Sequence, residues 1–232
     1  NTETDFVGLN ETFQDFVTTV AGLALDGADD LDDLKAHAYP GGAESVGEVL
    51  TNLIATIGEN MNLRRVQRLA VEKGVVAPYV HNAQKPGLGK IGVLVALEST
   101  GDGDKLAELG KQLAMHVAAA NPQALSIEAV DPAALERERQ ILMEQARESG
   151  KPDNIVEKMV EGRLRKYYEE VCLLEQTFVI DNETTIKKVI EDCAAEVGAP
   201  VAISGFVRFG LGEGIDKKEE NLAEEVAATL AG

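Results

Sequence analysis

The chain has 232 residues, 44% of them hydrophobic, which is enough to bury a sizeable core in one or two domains. Its formal net charge of −18 argues against nucleic acid as a direct partner, because phosphates call for a basic footprint. No apolar run approaches the about 18 residues that a spanning helix needs, so no membrane partner is expected. Cys172 and Cys193 form no CxxC, and His37, His81 and His116 lack ligand spacing, so neither a disulfide framework nor a metal site is expected. No signal peptide opens the chain, and a reducing, cytoplasmic compartment is the expectation.

The chain opens at Asn1, without Met, in what reads as the end of a strand or turn, which suggests truncation at the start. Thr4-Asp5-Phe6-Val7 sets a carboxylate beside a large aromatic on the loop entering the first helix. That helix is marked by Phe13, Phe16, Val17, Val20 and Ala24 at helical spacing, with Asn10 as its N-cap. Phe6 reads either as a hydrophobic staple on its own core or as an aromatic wedge aimed at a partner. The five aspartates between Asp26 and Asp33 mark a loop and the acidic start of a short helix around Leu31 and Leu34, where negative charge suits the helix dipole. A stronger helix follows through Val46, Val49, Leu50, Leu53, Ile54 and Ile57, closed by Gly58-Glu59-Asn60.

Charge and periodicity then change together. Residues 1–63 hold twelve acids and one base, whereas 64–90 hold six bases and only Glu72 as an acid. This basic strip is either a solvated sheet face or a docking strip for an acidic protein. Residues 63–73, 75–81 and 91–98 read as three strands, antiparallel because the links are too short for helical crossovers. Gly87-Leu88-Gly89-Lys90-Ile91-Gly92 matches G-x-G-x-x-G, but a strand rather than a helix N-terminus follows it, so no phosphate or nucleotide cofactor is expected there.

Residues 104–119 form the next helix, striped by Leu106, Leu109, Gly110, Leu113, Ala114 and Val117. At about 100° per residue, Met115 falls opposite the stripe and His116 at its edge, on a second packing layer or a partner surface. From Pro132 to Val171 the pattern is a helical hairpin bent at Ser149-Gly150-Lys151-Pro152. Ten acids and eight bases between 131 and 171 suit a solvated arm that projects. A strand at about 173–180, a helix through Ile186, Val189, Ile190, Cys193 and Val197, a strand at 201–209 and a short terminal helix complete the reading. No nucleophile elbow or catalytic triad appears, and composition alone stops at an α+β interaction protein.

Several motifs in combination, and in order, resemble bacterial-type translation elongation factor Ts across essentially the whole chain. They are Thr4-Asp5-Phe6-Val7, Ile57-Gly58-Glu59-Asn60 with Arg64-Arg65, Ile91-Gly92-Val93, Ala114-Met115-His116-Val117-Ala118-Ala119, Gly150-Lys151-Pro152, Met159-Val160-Glu161-Gly162-Arg163 and Gly205-Phe206-Val207-Arg208-Phe209 with Gly212-Glu213-Gly214-Ile215. The resemblance implies a guanine-nucleotide exchange factor that binds elongation factor Tu in its GDP-bound and nucleotide-free forms, with no bond chemistry and no cofactor. It implies two small antiparallel-sheet-plus-helix subdomains with an inserted, projecting helical hairpin. The divisions are a core N-subdomain at 1–98, truncated at its start, a core C-subdomain at 99–130 and 172–215, the hairpin at 131–171, and a C-terminal helical module at 216–232. By the resemblance, a helical module and linker are expected ahead of the sheet, and the sequence from Asn1 reads as lacking them.

By the same resemblance, Thr4, Asp5, Phe6 and Val7 form the partner-binding loop, with Asp5 and Phe6 entering near the partner's magnesium and phosphate site. Ile91 and Gly92 lie in the same contact region, and Met115 and His116 face another partner domain. The alternative is a non-catalytic scaffold that forms a homodimer through the hairpin.

Overall fold

A computed structural model describes residues 1–148 and 150–215 of the chain. The terminal helix expected at about Glu219 to Leu230 lies outside the described residues.

The first layer is helical. Helix α1 (Glu11–Asp26) starts where the Asn10 side chain accepts from the Phe13 amide at 3.1 Å, satisfying one of the donors that a helix start leaves free. Helix α2 (Leu31–Ala36) is capped by Asp30, whose carboxylate accepts from the Asp32 and Asp33 amides. Helix α3 (Val46–Ile57) opens with a Ser45/Glu48 capping box and closes on Gly58, whose φ of 81° is the left-handed conformation glycine adopts without a Cβ clash. Phe16, Val20, Leu34, Val46 and Leu53 bury one core between these helices.

The second layer is a single three-stranded antiparallel sheet in the order β1-β2-β3, built from β1 (Gly74–His81), β2 (Ile91–Glu98) and β3 (Ala202–Gly210). Helix α4 (Gly103–Ala120) covers it with the expected stripe, all of it buried. Helix α7 (Ile186–Val197) adds Ile186 and Ile190 to the same core, together with Val93, Val95, Leu97, Leu113 and Val117. β1 and β2, from the 1–98 portion, thus share this core with α4, α7 and β3 from the 99–130 and 172–215 portions.

Two expected strands are absent from the described residues, and one shared sheet stands where two were expected. Residues 63–72 make no backbone–backbone hydrogen bond there, so β-branched composition found no partner strand to pair with. Leu63 and Val66 pack instead on the helical core, and the Leu69 side chain lies against the backbone at Gly205 on β3. The segment is a strap between the layers. Likewise, Leu173–Glu175 is a turn of 3-10 helix, and Leu173 and Phe178 plug the sheet core rather than pair along an edge.

Helices α5 (Pro132–Arg147) and α6 (Asp153–Val171) pack on each other through Leu142, Ala146, Val156 and Val160. Pro132 at the first turn of α5 and the Asp131 cap explain where that arm begins. At the base of the pair, Leu135 and Tyr167 close over Ala124, Val130 and Cys172. No described helix is long and apolar enough to cross a membrane.

Candidate functional site

Val7 and Phe6 are adjacent, yet the backbone sends them in opposite directions. Val7 is 3% exposed and enters the helical core, while Phe6 is 80% exposed. The staple is therefore Val7. A turn of 3-10 helix at Val7–Leu9 fixes the separation, with the Leu9 amide donating to the Phe6 carbonyl at 3.0 Å and the Asn10 amide to the Val7 carbonyl at 2.9 Å. Val7 is a core residue of this chain, so its place among the expected contacts rests on the resemblance alone.

The residues flanking Phe6 are tied down from both sides. The Thr4 amide donates to Glu59 Oε2 at 3.0 Å, and the Thr4 hydroxyl to Glu59 Oε1 at 2.7 Å. Lys90 Nζ donates to Asp5 Oδ2 at 2.9 Å, joining the loop to the start of β2. The Gln14 side chain donates to the Gly8 carbonyl at 2.7 Å. Ile91 and Gly92 follow Lys90 directly, so this ion pair brings two separate sequence candidates into one region. Ile91 leans on the sheet core, whereas a Cβ at Gly92 would meet open space.

Beneath this loop lies a cavity of ≈ 330 Å³, walled in part by Asp5, Gln14, Arg65, Lys90, Gly92 and Leu211. Gln14 Oε1 is the buried side-chain polar atom without a hydrogen-bond partner among the described residues. Gly87 to Gly92 is the link between β1 and β2 and the first residues of β2, with no helix N-terminus to hold a phosphate.

The three arginines of the basic strip are engaged within this chain. Arg64 donates to the Glu213 carbonyl at 2.8 Å and the Gly214 carbonyl at 3.2 Å, and Arg65 to the Gly210 carbonyl at 2.9 Å. Arg65 also lies over the Phe209 ring, 4.4 Å from its centroid. Arg68 reaches the Leu25 carbonyl at 3.3 Å. These guanidiniums clasp the exit loop after β3 and the end of α1. Burial pushes the Glu213 carboxyl up, but hydrogen bonds from the Gly210 amide, Arg208 and Arg65 outweigh it and hold the group below the usual carboxylate range.

Met115 and His116 part company. Met115 is half-buried, but His116 is 0% exposed. Its Nε2 lies 2.8 Å from Gln176 Oε1, and its Nδ1 accepts from the Val179 amide at 3.2 Å. This pattern requires the neutral tautomer with the proton on Nε2. Burial lowers the His116 pKa from its ordinary value, which the bond to Gln176 only partly opposes. Of the two readings for the stripe edge, the second packing layer is the one found: the segment through Gln176 and Phe178 packs on that side of α4 and covers His116. The contact candidates that remain accessible are Thr4, Asp5, Phe6, Gly92 and Met115, with Ile91 partly buried beside them.

Sequence reasoning did not connect Glu59 or Lys90 to the Thr4-Asp5 loop. Glu59 followed a helix-closing glycine, and Lys90 sat inside a spurious glycine motif, so each had a local explanation that hid a long-range one. Among the described residues, no group of three or more His, Cys, Asp or Glu could hold a metal ion.

The family model described as "Elongation factor TS" matches residues 3–213. An elongation factor Ts from Rhodospirillum centenum is 60% identical over 228 residues, covering 98% of this chain and 74% of the relative. Those of Paramagnetospirillum magneticum and Rhodospirillum rubrum are each 62% identical, over 228 and 231 residues, covering 98% and 99% of this chain and 73% and 75% of theirs. With the anchored Asp5-Phe6 loop, the shared sheet and a match spanning almost every described residue, this chain belongs to the elongation factor Ts family.

Proposed function

We propose that Phe6, carried on its anchored loop, is the wedge by which this chain loosens GDP on its partner. The chain is a guanine-nucleotide exchange factor acting on elongation factor Tu in protein synthesis, as membership of the family implies. In the proposed mechanism Asp5 and Phe6 enter the partner near its magnesium and phosphate contacts, with Ile91 and Gly92 alongside and Met115 turned to a second partner domain. The site works by binding alone, with no bond chemistry, cofactor or nucleic acid, in the cytoplasm, and it engages the partner both with GDP and without nucleotide.

One observation carries this reading: Phe6 is 80% exposed while the residues on either side of it are anchored. An aromatic ring held in water is stabilised by burial elsewhere, by roughly 1.5–3 kcal/mol for a Phe side chain. Weakening GDP tenfold requires about 1.4 kcal/mol of differential interaction, and GDP must weaken the factor's binding by the same amount. One ring therefore supplies a useful share of the coupling.

The test pairs melting temperature with release of labelled GDP from elongation factor Tu, for the wild type and Phe6→Ala. The wedge predicts unchanged melting and slowed release. A lowered melting temperature with release unchanged per folded molecule would return Phe6 to a structural role. Tight complex formation with no acceleration by the wild type would favour the scaffold reading, in which α5 and α6 project and pair two copies.

A further inference from the structure

We propose that Lys90 and Glu59 are positioning residues for nucleotide exchange, which clamp the loop from opposite sides so that Phe6 is presented in its inserting conformation before the partner arrives. The inference rests on the reading of Asp5-Phe6 as the inserting pair, and it assigns a function to two residues that touch the loop from distant parts of the chain.

Glu59 sits just past the end of α3. Both its oxygens are engaged by Thr4, one receiving the amide at 3.0 Å and the other the hydroxyl at 2.7 Å. Lys90 approaches from the other flank, its Nζ 2.9 Å from Asp5 Oδ2. Its own backbone is fixed on both sides, since the Lys90 amide donates to the His81 carbonyl at 3.1 Å and the Lys90 carbonyl accepts from the Leu211 amide at 2.9 Å. The ammonium group is therefore borne by a position built into both the β1–β2 link and the exit loop after β3. Below, Val7 is sunk in the helical core and Gly8 is held by Gln14. Thr4, Asp5, Val7 and Gly8 each have an anchor, and between them the large apolar Phe6 ring projects, 80% exposed.

The physical consequence follows from population arithmetic. A loop that samples other conformations binds with an affinity reduced by the fraction of time it spends in the competent one. The Asp5–Lys90 pair is partly exposed, with side-chain exposures of 82% and 47%, so its individual contribution is modest. Glu59 adds a charge-assisted pair of hydrogen bonds on the other flank. Because neither residue is the wedge, their loss should act on how readily the factor engages, not on what the ring does once inserted.

The experiment measures GDP release from elongation factor Tu across a range of factor concentrations, for wild type, Lys90→Met, Lys90→Arg, Glu59→Ala, the Lys90→Met/Glu59→Ala double variant and Phe6→Ala. Lys90→Met should raise the half-saturating concentration about two- to fivefold, as expected for an exposed ion pair, and leave the maximal release rate unchanged. The double variant should raise it about tenfold, and Lys90→Arg should restore most of the loss. Amide hydrogen exchange at Leu9 and Asn10, whose N–H groups close the turn behind Phe6, should quicken in the double variant while the global melting temperature holds.

An unchanged half-saturating concentration in the double variant, with Phe6→Ala still impaired, would overturn the clamp and leave the wedge standing. Release unaffected by Phe6→Ala itself would overturn the wedge, and the clamp with it. A fall in maximal rate with no shift in half-saturation would also overturn the clamp, since it would place Lys90 or Glu59 in contact with the partner's nucleotide site.

Discussion

Phe6 stands in solvent on a loop pinned at four neighbouring residues, whereas His116 lies wholly inside the molecule, bridging α4 to the segment that follows α6. The resemblance named both as contact residues, and each sits beside a second candidate, Asp5 and Met115. The fold separates them by burial. A large apolar ring left in water has its stabilisation still to gain and suits a binding event. A buried imidazole with both nitrogens partnered has already spent its capacity on the fold, and Met115 is left to meet the surface alone.

Substitutions can break or sharpen this contrast. His116→Ala should have the largest effect: it opens a cavity and strands Gln176 Oε1 and the Val179 amide, at a cost of about 3 kcal/mol. For a chain of this size that is a fall in melting temperature of roughly 6–12 °C, visible by circular dichroism. GDP release per folded molecule should be retained. Unaltered melting with lost exchange would instead make His116 a partner contact and dissolve the contrast.

Phe6→Ala is the mirror image. Its melting temperature should match the wild type, while GDP release slows about thirtyfold, corresponding to the about 2 kcal/mol typical of an interface hot spot. Val7→Ala then tests whether the neighbour is the staple. Removing two methyl-sized groups from the helical core should cost about 1.5 kcal/mol of stability in denaturant titration, with release rates at saturating factor little changed. Equal effects of the two substitutions on both readouts would mean that the loop is not fixed as described.

The smallest effect concerns pH. Burial lowers the pKa of folded His116 from its ordinary value. Below about pH 6.5 the unfolded chain therefore takes up the proton more readily than the folded one. The stabilisation from a neutral His116 is fully present above that pH and is lost progressively as pH falls toward the folded value. His116→Gln should flatten this part of the stability–pH curve, measured by urea midpoints across mildly acidic buffers. An unchanged slope would show that the imidazole titrates much as it does in water.

Local patterning was legible where one segment carries its own instructions. The Asn10 cap, the acidic start of α2, the Gly58 stop, the 91–98 strand and the stripe on α4 all follow from residues close in sequence, because caps and amphipathic faces are satisfied within a few turns. Segment 63–73 was misread because a strand is a relation between two backbones, and propensity speaks for only one of them. Segment 173–180 failed for a related reason: apolar content that suits a strand equally suits a plug in a core. The basic strip misled because its charge count could not disclose that Arg64, Arg65 and Arg68 donate to carbonyls of this same chain.

The sequence by itself determined the helices, the 75–81, 91–98 and 201–209 strands, their order and, through motifs spread along the chain, the family. Those properties rest on periodicity and on residue identity at fixed positions. Tertiary structure alone decided that β3 joins β1 and β2 in one sheet, that Val7 turns inward while Phe6 turns out, and that His116 faces Gln176. It also decided that Glu59 and Lys90, 55 and 85 residues from their partners Thr4 and Asp5, meet the same loop from opposite sides. Hydrogen bonds and burial depend on distances in space, and distant positions acquire those distances only when the layers pack.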